Sequence, residues 1–188
     1  MRILNKLFRR DDAATIDARR IYGKLMAQSR DPQFYAAGRF NDDYDGRIDV
    51  LTLHIAAILS NLNRFGQNGE RLGQALFDEM KDDFEIALRE EALSDASVKK
   101  RIQPMISLFY DRVKRYAEAL HADEPSVAIN SVFIETLPES SKAETFGGDG
   151  GPFSVQISNY LRSFDQSLSS KSIGDIALTN FDFPTLSA

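Results

Sequence analysis

Apolar residues recur at helical spacing along most of the chain. Leu72, Leu76, Met80, Phe84 and Leu88 repeat every four residues, one stripe of a helix facing a core. Val98, Ile102, Met105, Phe109, Val113, Tyr116 and Leu120 alternate steps of four and three, the seam of a helix packed in a bundle. Alternating strand patterns of useful length are missing, and glycine and proline clusters are rare before residue 147. The pattern predicts helices over about 3–9, 14–30, 46–64, 70–91, 95–121, 126–137 and 153–168, with ends good to roughly 2–4 residues. The expected fold is therefore all-α: a single-domain bundle of about six or seven helices, with a long helix kinked at Pro104.

The same pattern divides the chain. Residues 1–13 form a basic amphipathic N-terminal segment, 14–138 the helical core, 139–152 a flexible loop, and 153–188 a C-terminal helix and tail. The apolar end of that tail, "FDFPTL" at 181–186, is expected to dock on the domain. Residues 31–44 read as an irregular bridge around Asp31-Pro32 and Gly38. Helices 70–91 and 95–121 are expected to be antiparallel, because the turn between them is short.

The stretch "DDYDGRIDVLTLH", 42–54, holds four aspartates, an arginine and a histidine. It also opens a helix. Asp45 reads as its N-cap and Asp49 as a first-turn acid favoured by the helix dipole. Ile48, Leu51, Ile55, Ile58, Leu59 and Leu62 make one apolar stripe; Val50, Leu53 and Ala57 make another. Such a helix belongs inside a bundle. Arg47, His54 and Asn61, seven apart, fall on one polar seam between the stripes. The seam is either a buried hydrogen-bonded line that fixes packing or a partner-binding or proton-handling site.

Composition narrows the chemistry. The 188 residues include no cysteine, which excludes disulfides, thiolate metal sites and thiol catalysis. A net charge of −5 argues against a specific nucleic-acid partner. No apolar run approaches the roughly 20 residues of a spanning helix. The first residues hold too few apolar positions for a secretory signal, and Asp11 and Asp12 come too early for a mitochondrial leader. "EALH", 118–121, is half of a di-iron motif without its other half. Nucleotide-binding and nucleophile signatures are missing, so neither enzymatic activity nor a cofactor is expected.

Two charged stretches remain. "FDEMKDDFEIALREE", 77–91, is strongly acidic, and the following helix opens with Lys99-Lys100-Arg101 against its own dipole. The acids of the first helix are expected to meet those cations; the alternative is an anionic partner surface. In "MRILNKLFRR", Ile3, Leu4, Leu7 and Phe8 share one side of a helical wheel. Arg2, Lys6, Arg9 and Arg10 take the other, a pattern open to three readings: a segment lying on an anionic membrane surface, a partner-packing helix, or a disordered start too short for a stable isolated helix.

Four stretches in order, "IYGKLMAQSRDPQFY" (21–35), "DGRIDVLTLHIAAIL" (45–59), "ALFDEMKDDFEIALRE" (75–90) and "DASVKKRIQPMISLFYDRVKRY" (95–116), resemble the ubiquinol–cytochrome c chaperone family in its alphaproteobacterial form. The likeness is good over 21–120 and loose elsewhere; Ala92-Leu93-Ser94 stand where the family tends to have glycines. The resemblance implies a non-enzymatic, all-α assembly factor for complex III that binds newly made cytochrome b. Implied partners are cytochrome b or its nascent chain, a small partner protein, the ribosome and, weakly, the cytoplasmic face of the inner membrane. Matching positions are Tyr22, Arg30, Phe34, Tyr35, Asp45, Gly46, Arg47, His54, Phe77, Asp82, Arg89, Asp95, Lys99, Phe109 and Tyr110, with Lys100 beside them. Phe34, Tyr35 and Phe40, in the irregular bridge, are candidates for an exposed apolar contact surface. Two other classes stay open: a small helical enzyme using the Arg47–His54 seam, and a general protein-interaction adaptor.

Overall fold

The computed structural model describes residues 12–35, 38–90, 95–136 and 151–186. Among them are seven α-helices: α1 (Ala13–Gln28), α2 (Tyr44–Leu62), α3 (Gly66–Glu90), α4 (Asp95–Leu120), α5 (Pro125–Thr136), α6 (Gly151–Ser169) and the short α7 (Ile173–Ala177). Two 3-10 turns, Pro32–Phe34 and Asn63–Phe65, join α1 to α2 and α2 to α3. The described residues contain no strand. The protein is a single-domain all-α bundle.

Its arrangement follows from α2, which carries apolar residues on two sides. α1 packs on α3, α3 on α4, α4 on α5, and α5 on α6. α7 packs on α1, and α2 runs inside this ring, touching α1, α3, α4 and α6. Fourteen of its 19 residues are buried. The surrounding helices need only one apolar stripe each; in α3 that stripe is Leu72, Leu76, Met80, Phe84 and Leu88, all buried.

Tyr44 to Glu90 is helical without a gap, bent by the 3-10 turn and by Gly66 in the left-handed region (φ +55°). Gly69 then passes so close to α2 that a Cβ there would lie 1.9 Å from the Leu62 carbonyl oxygen. α3 and α4 fold back on each other: Phe84 meets Phe109 edge-on at 5.5 Å and Phe77 meets Tyr110 at 5.7 Å. α4 remains helical through Pro104. Beyond α7 the chain runs non-helically along α1. Lys24 donates to the carbonyls of Thr179 and Phe181, and Phe181 and Leu186 are buried.

Several sequence expectations are corrected. The N-cap of α2 is Asp43, whose carboxylate accepts from Gly46 N–H at 2.9 Å; Asp45 sits one step inside the first turn. Asp49 lies beyond that turn and is buried against Arg112, 2.5 Å away. Carboxylates of the acidic helix meet α1, and the expected contact with the start of α4 is not made by Lys100 or Arg101; the Lys99 side chain lies outside the described residues. Arg19 pairs with Glu79 at 3.2 Å, and the Tyr22 hydroxyl donates to Asp83 at 2.8 Å. Lys100 and Arg101 stay exposed, without an ion pair among the described residues. The physical reason is facing: α1 covers the acidic side of α3 along its length, while α4 meets its apolar stripe. Phe34 and Phe40 are buried, not surface residues. The bridge is irregular in backbone but is folded inward by Asp31, which accepts from Gln33 N–H at 3.0 Å and starts the 3-10 turn. The helix expected at 3–9 and residues 139–150 of the loop expected at 139–152 lie outside the described residues; residues 151 and 152 already belong to α6.

Candidate functional site

Helical spacing carries His54 into the centre of the bundle, where it is fully buried. Nδ1 lies 2.7 Å from the Val50 carbonyl oxygen and Nε2 lies 2.7 Å from the Tyr160 hydroxyl. The arrangement suits a neutral ring that donates from Nδ1 and accepts from tyrosine at Nε2. Phe34, Tyr160, Phe164 and Phe183 stand edge-on around it at 5.1–5.8 Å. Burial pushes the imidazole pKa down to about 4. Asn61, two turns on, donates to the Asp165 carboxylate at 2.7 Å.

Arg47 does not join this line. It is exposed and holds Asp42 at 2.7 Å. The expected Arg47–His54–Asn61 seam is thus two buried residues and one surface residue, and the enzyme reading built on it loses its geometry. His54 lines none of the grooves described below. The buried polar centre the spacing did not predict is Asp49–Arg112. Burial raises the Asp49 pKa while Arg112 opposes the rise. Arg112 Nε has no hydrogen-bond partner among the described residues, so the pair is only partly compensated.

Four of the family-pattern residues gather at one corner, where the end of α1, the start of α2 and the end of α3 meet. A groove of about 300 Å³ opens there. Met26, Ile48, Leu51, Phe84 and Ala87 form apolar walls; Arg30, Arg47, Asp83 and Glu90 supply two charges of each sign. Tyr22 supports the Asp83 wall, and burial together with that carboxylate raises its hydroxyl pKa. Tyr35 donates to the Ser29 carbonyl beside the groove. Sequence reading missed Tyr44, Ser29 and Glu90 as lining residues; no local pattern marks them, because the groove exists only once three distant helix ends meet.

The other family-pattern residues are scattered. Phe34 and His54 are core. Asp45 is exposed on α2, and Asp82 and Arg89 are exposed on α3, Arg89 holding Glu85 at 2.6 Å. Lys100 lines a shallow depression with Ser97, Arg101 and Pro104. The side chains of Asp95 and Lys99, and all of Arg2 to Arg10, lie outside the description. Tyr110 borders a second groove, of about 380 Å³, between α3 and α4. It is 56% exposed.

Among the described residues Glu118 and His121 are engaged in separate pairs rather than grouped in one cluster. Glu118 lies 3.7 Å from Lys114, and His121 bonds Ser60 at 2.8 Å. Among the described residues no three His, Asp or Glu side chains are grouped to hold a metal ion. No described helix is long and apolar enough to cross a membrane. What the arrangement offers is two apolar grooves with charged lips, suited to holding part of another molecule.

Comparison with curated proteins gives no match. A solved structure, the Cbp3 homolog from Brucella abortus, shares the fold at a TM-score of 0.76 and 24% identity, covering 98% of this chain and 97% of that one. The family model for ubiquinol–cytochrome C chaperones matches residues 37–145, more than half of the sequence. It spans α2 to α5, the central helix and the α3–α4 hairpin described above. The chain belongs to the ubiquinol–cytochrome c chaperone family.

Proposed function

We propose that the protein is a non-enzymatic assembly chaperone for ubiquinol–cytochrome c reductase that holds newly made cytochrome b at the membrane. The observation that carries the reading is the family match over 37–145, which supports a role in complex III assembly. The architecture is consistent with it. The one buried histidine has both ring nitrogens engaged, and two of the open features are apolar grooves with charged lips. A client made for a membrane needs such a surface while its apolar segments wait for insertion.

Membrane proximity belongs to the same proposal and rests on sequence. Arg2, Lys6, Arg9 and Arg10 would each add about 1 kcal/mol of attraction to an anionic leaflet. Ile3, Leu4, Leu7 and Phe8 would add shallow burial. The result is weak, salt-sensitive attachment to the cytoplasmic face of the inner membrane, or the matrix face in a mitochondrion. The small partner protein and the ribosome implied by resemblance fit here as further contacts near the site of synthesis.

The test is affinity capture from native membranes with and without the cytochrome b gene. Retention of complex III precursors only when cytochrome b is made supports the reading. An unchanged set of captured proteins in the two strains refutes it. Removal of residues 1–10 should lower co-sedimentation with anionic vesicles and leave binding to neutral vesicles as it was.

A further inference from the structure

We propose that the cleft between α3 and α4 seats one turn of an apolar helical segment flanked by a basic residue, the chemistry of the cytoplasmic end of a membrane-spanning segment. The assignment rests on the assembly reading for the identity of the client, but the cleft's preference stands on its own geometry. Leu59, Leu62, Phe77, Tyr110 and Val113 line it and carry no charge. Its floor is open because Gly73 stands where a side chain would go. A Cβ there would sit 3.1 Å from Leu59 and 3.9 Å from Leu62.

Tyr110 is the second sign. It is a large side chain left mostly in water, yet its ring is fixed edge-on against Phe77 at 5.7 Å. A rigid aromatic with an apolar body and a polar tip is a good anchor, because little conformational freedom is lost when a partner covers it. At about 380 Å³ the cleft accepts a few side chains, not a whole helix. That fits i, i+3, i+4 anchors of one helical turn laid in a groove.

Charge names the flank. The lips carry Glu70 on α3 and Lys114 on α4. Lys114 already lies 3.7 Å from Glu118. Glu70 forms no ion pair among the described residues, although Lys114 stands on the facing lip and Arg71 beside it, so the carboxylate is the lip charge left free to pair. A purely apolar segment would leave it so; a segment ending in lysine or arginine would neutralise it. Membrane-spanning segments carry that residue at their cytoplasmic ends, where basic residues accumulate.

The test uses two synthetic helical peptides with the same leucine- and phenylalanine-rich turn, one flanked by lysines and one by glutamates. Fluorescence anisotropy measures their binding to the full chain. The intact chain should bind the lysine-flanked peptide at least fivefold more tightly. Glu70→Lys should reverse that order, and Tyr110→Ser should weaken both peptides. Circular dichroism and melting of each variant check the fold, which these exposed positions should leave unchanged. Equal binding of the two peptides, or a preference that survives Glu70→Lys, overturns the proposal. The assembly reading is separated by the capture experiment. Peptide preference without cytochrome b retention refutes the reading and keeps the cleft. Cytochrome b retention without peptide preference does the reverse.

Discussion

α2 and α3 follow one another through a single bend, yet they are opposite kinds of helix. Fourteen of 19 residues are buried in α2 and six of 25 in α3. α2 has neighbours on every side and carries the buried polar groups Asp49, His54 and Asn61, all engaged with other parts of the chain. α3 gives one stripe to the core and keeps the rest for α1, for water and for the lip of a cleft. The contrast separates two meanings of a family-pattern residue. At a buried α2 position such as His54, substitution is expected to act through stability; at exposed positions, Arg47 on α2 included, it is expected to act through contacts.

The sharpest way to break the contrast is at Asp49. Asp49→Ala leaves Arg112 charged and buried without its partner, at a cost of about 3–5 kcal/mol. Glu79→Ala, on α3, removes only an exposed pair with Arg19 and should cost below about 1 kcal/mol. Urea unfolding of the two variants checks the ordering. Comparable losses would mean that burial does not distinguish the two helices.

A second prediction concerns pH. His54 titrates near 6.5 in the unfolded chain and near 4 in the fold. A base with a lowered native pKa contributes its stability above the unfolded value and loses it in acid. Native stability should therefore fall between pH 6.5 and 4 by about 3 kcal/mol from this residue alone. Asp49 works with the opposite sign, since burial raises its pKa and acid then favours the native form. His54→Leu should be less stable at neutral pH and lose the steep section between pH 6.5 and 5. A wild-type curve that is flat there would contradict the buried neutral imidazole.

The smallest effect is expected at Ile86, 52% exposed on α3. Ile86→Gln should shift stability by no more than about 0.5 kcal/mol. A larger loss, read in the same urea titration, would show that this side of α3 is covered in solution.

Much of this was legible beforehand. The spacing of Leu72 to Leu88 fixes both the existence of α3 and the side it buries, because a helix stripe is a local property. The two apolar stripes of α2 placed it inside the bundle for the same reason. What required two distant parts of the chain was hidden. Nothing near Asp49 announces Arg112, which lies 63 residues away. Phe34 and Phe40 stand in a segment without period, so exposure could not be read from pattern. Three nearby aspartates, 42, 43 and 45, all suit an N-cap by type; only the backbone at Asp43 decides among them. α7 is five residues long and shows itself mainly through its capping box, Ser172 with Asp175. Arg30 and Arg47 came from the family pattern, but their meeting in one groove depends on how three helix ends converge.

The docked tail has a consequence in time. Lys24, in the first of the described helices, takes as its partner the carbonyl of Phe181, 157 residues later. At roughly 5–20 residues per second, α1 waits on the order of ten to thirty seconds for that partner to be synthesised. Phe183, which closes one side of the His54 cage, comes later still. Until the tail has left the ribosome the aromatic centre stays uncovered, so a protein of a chaperone family begins its own life with an apolar surface in need of cover.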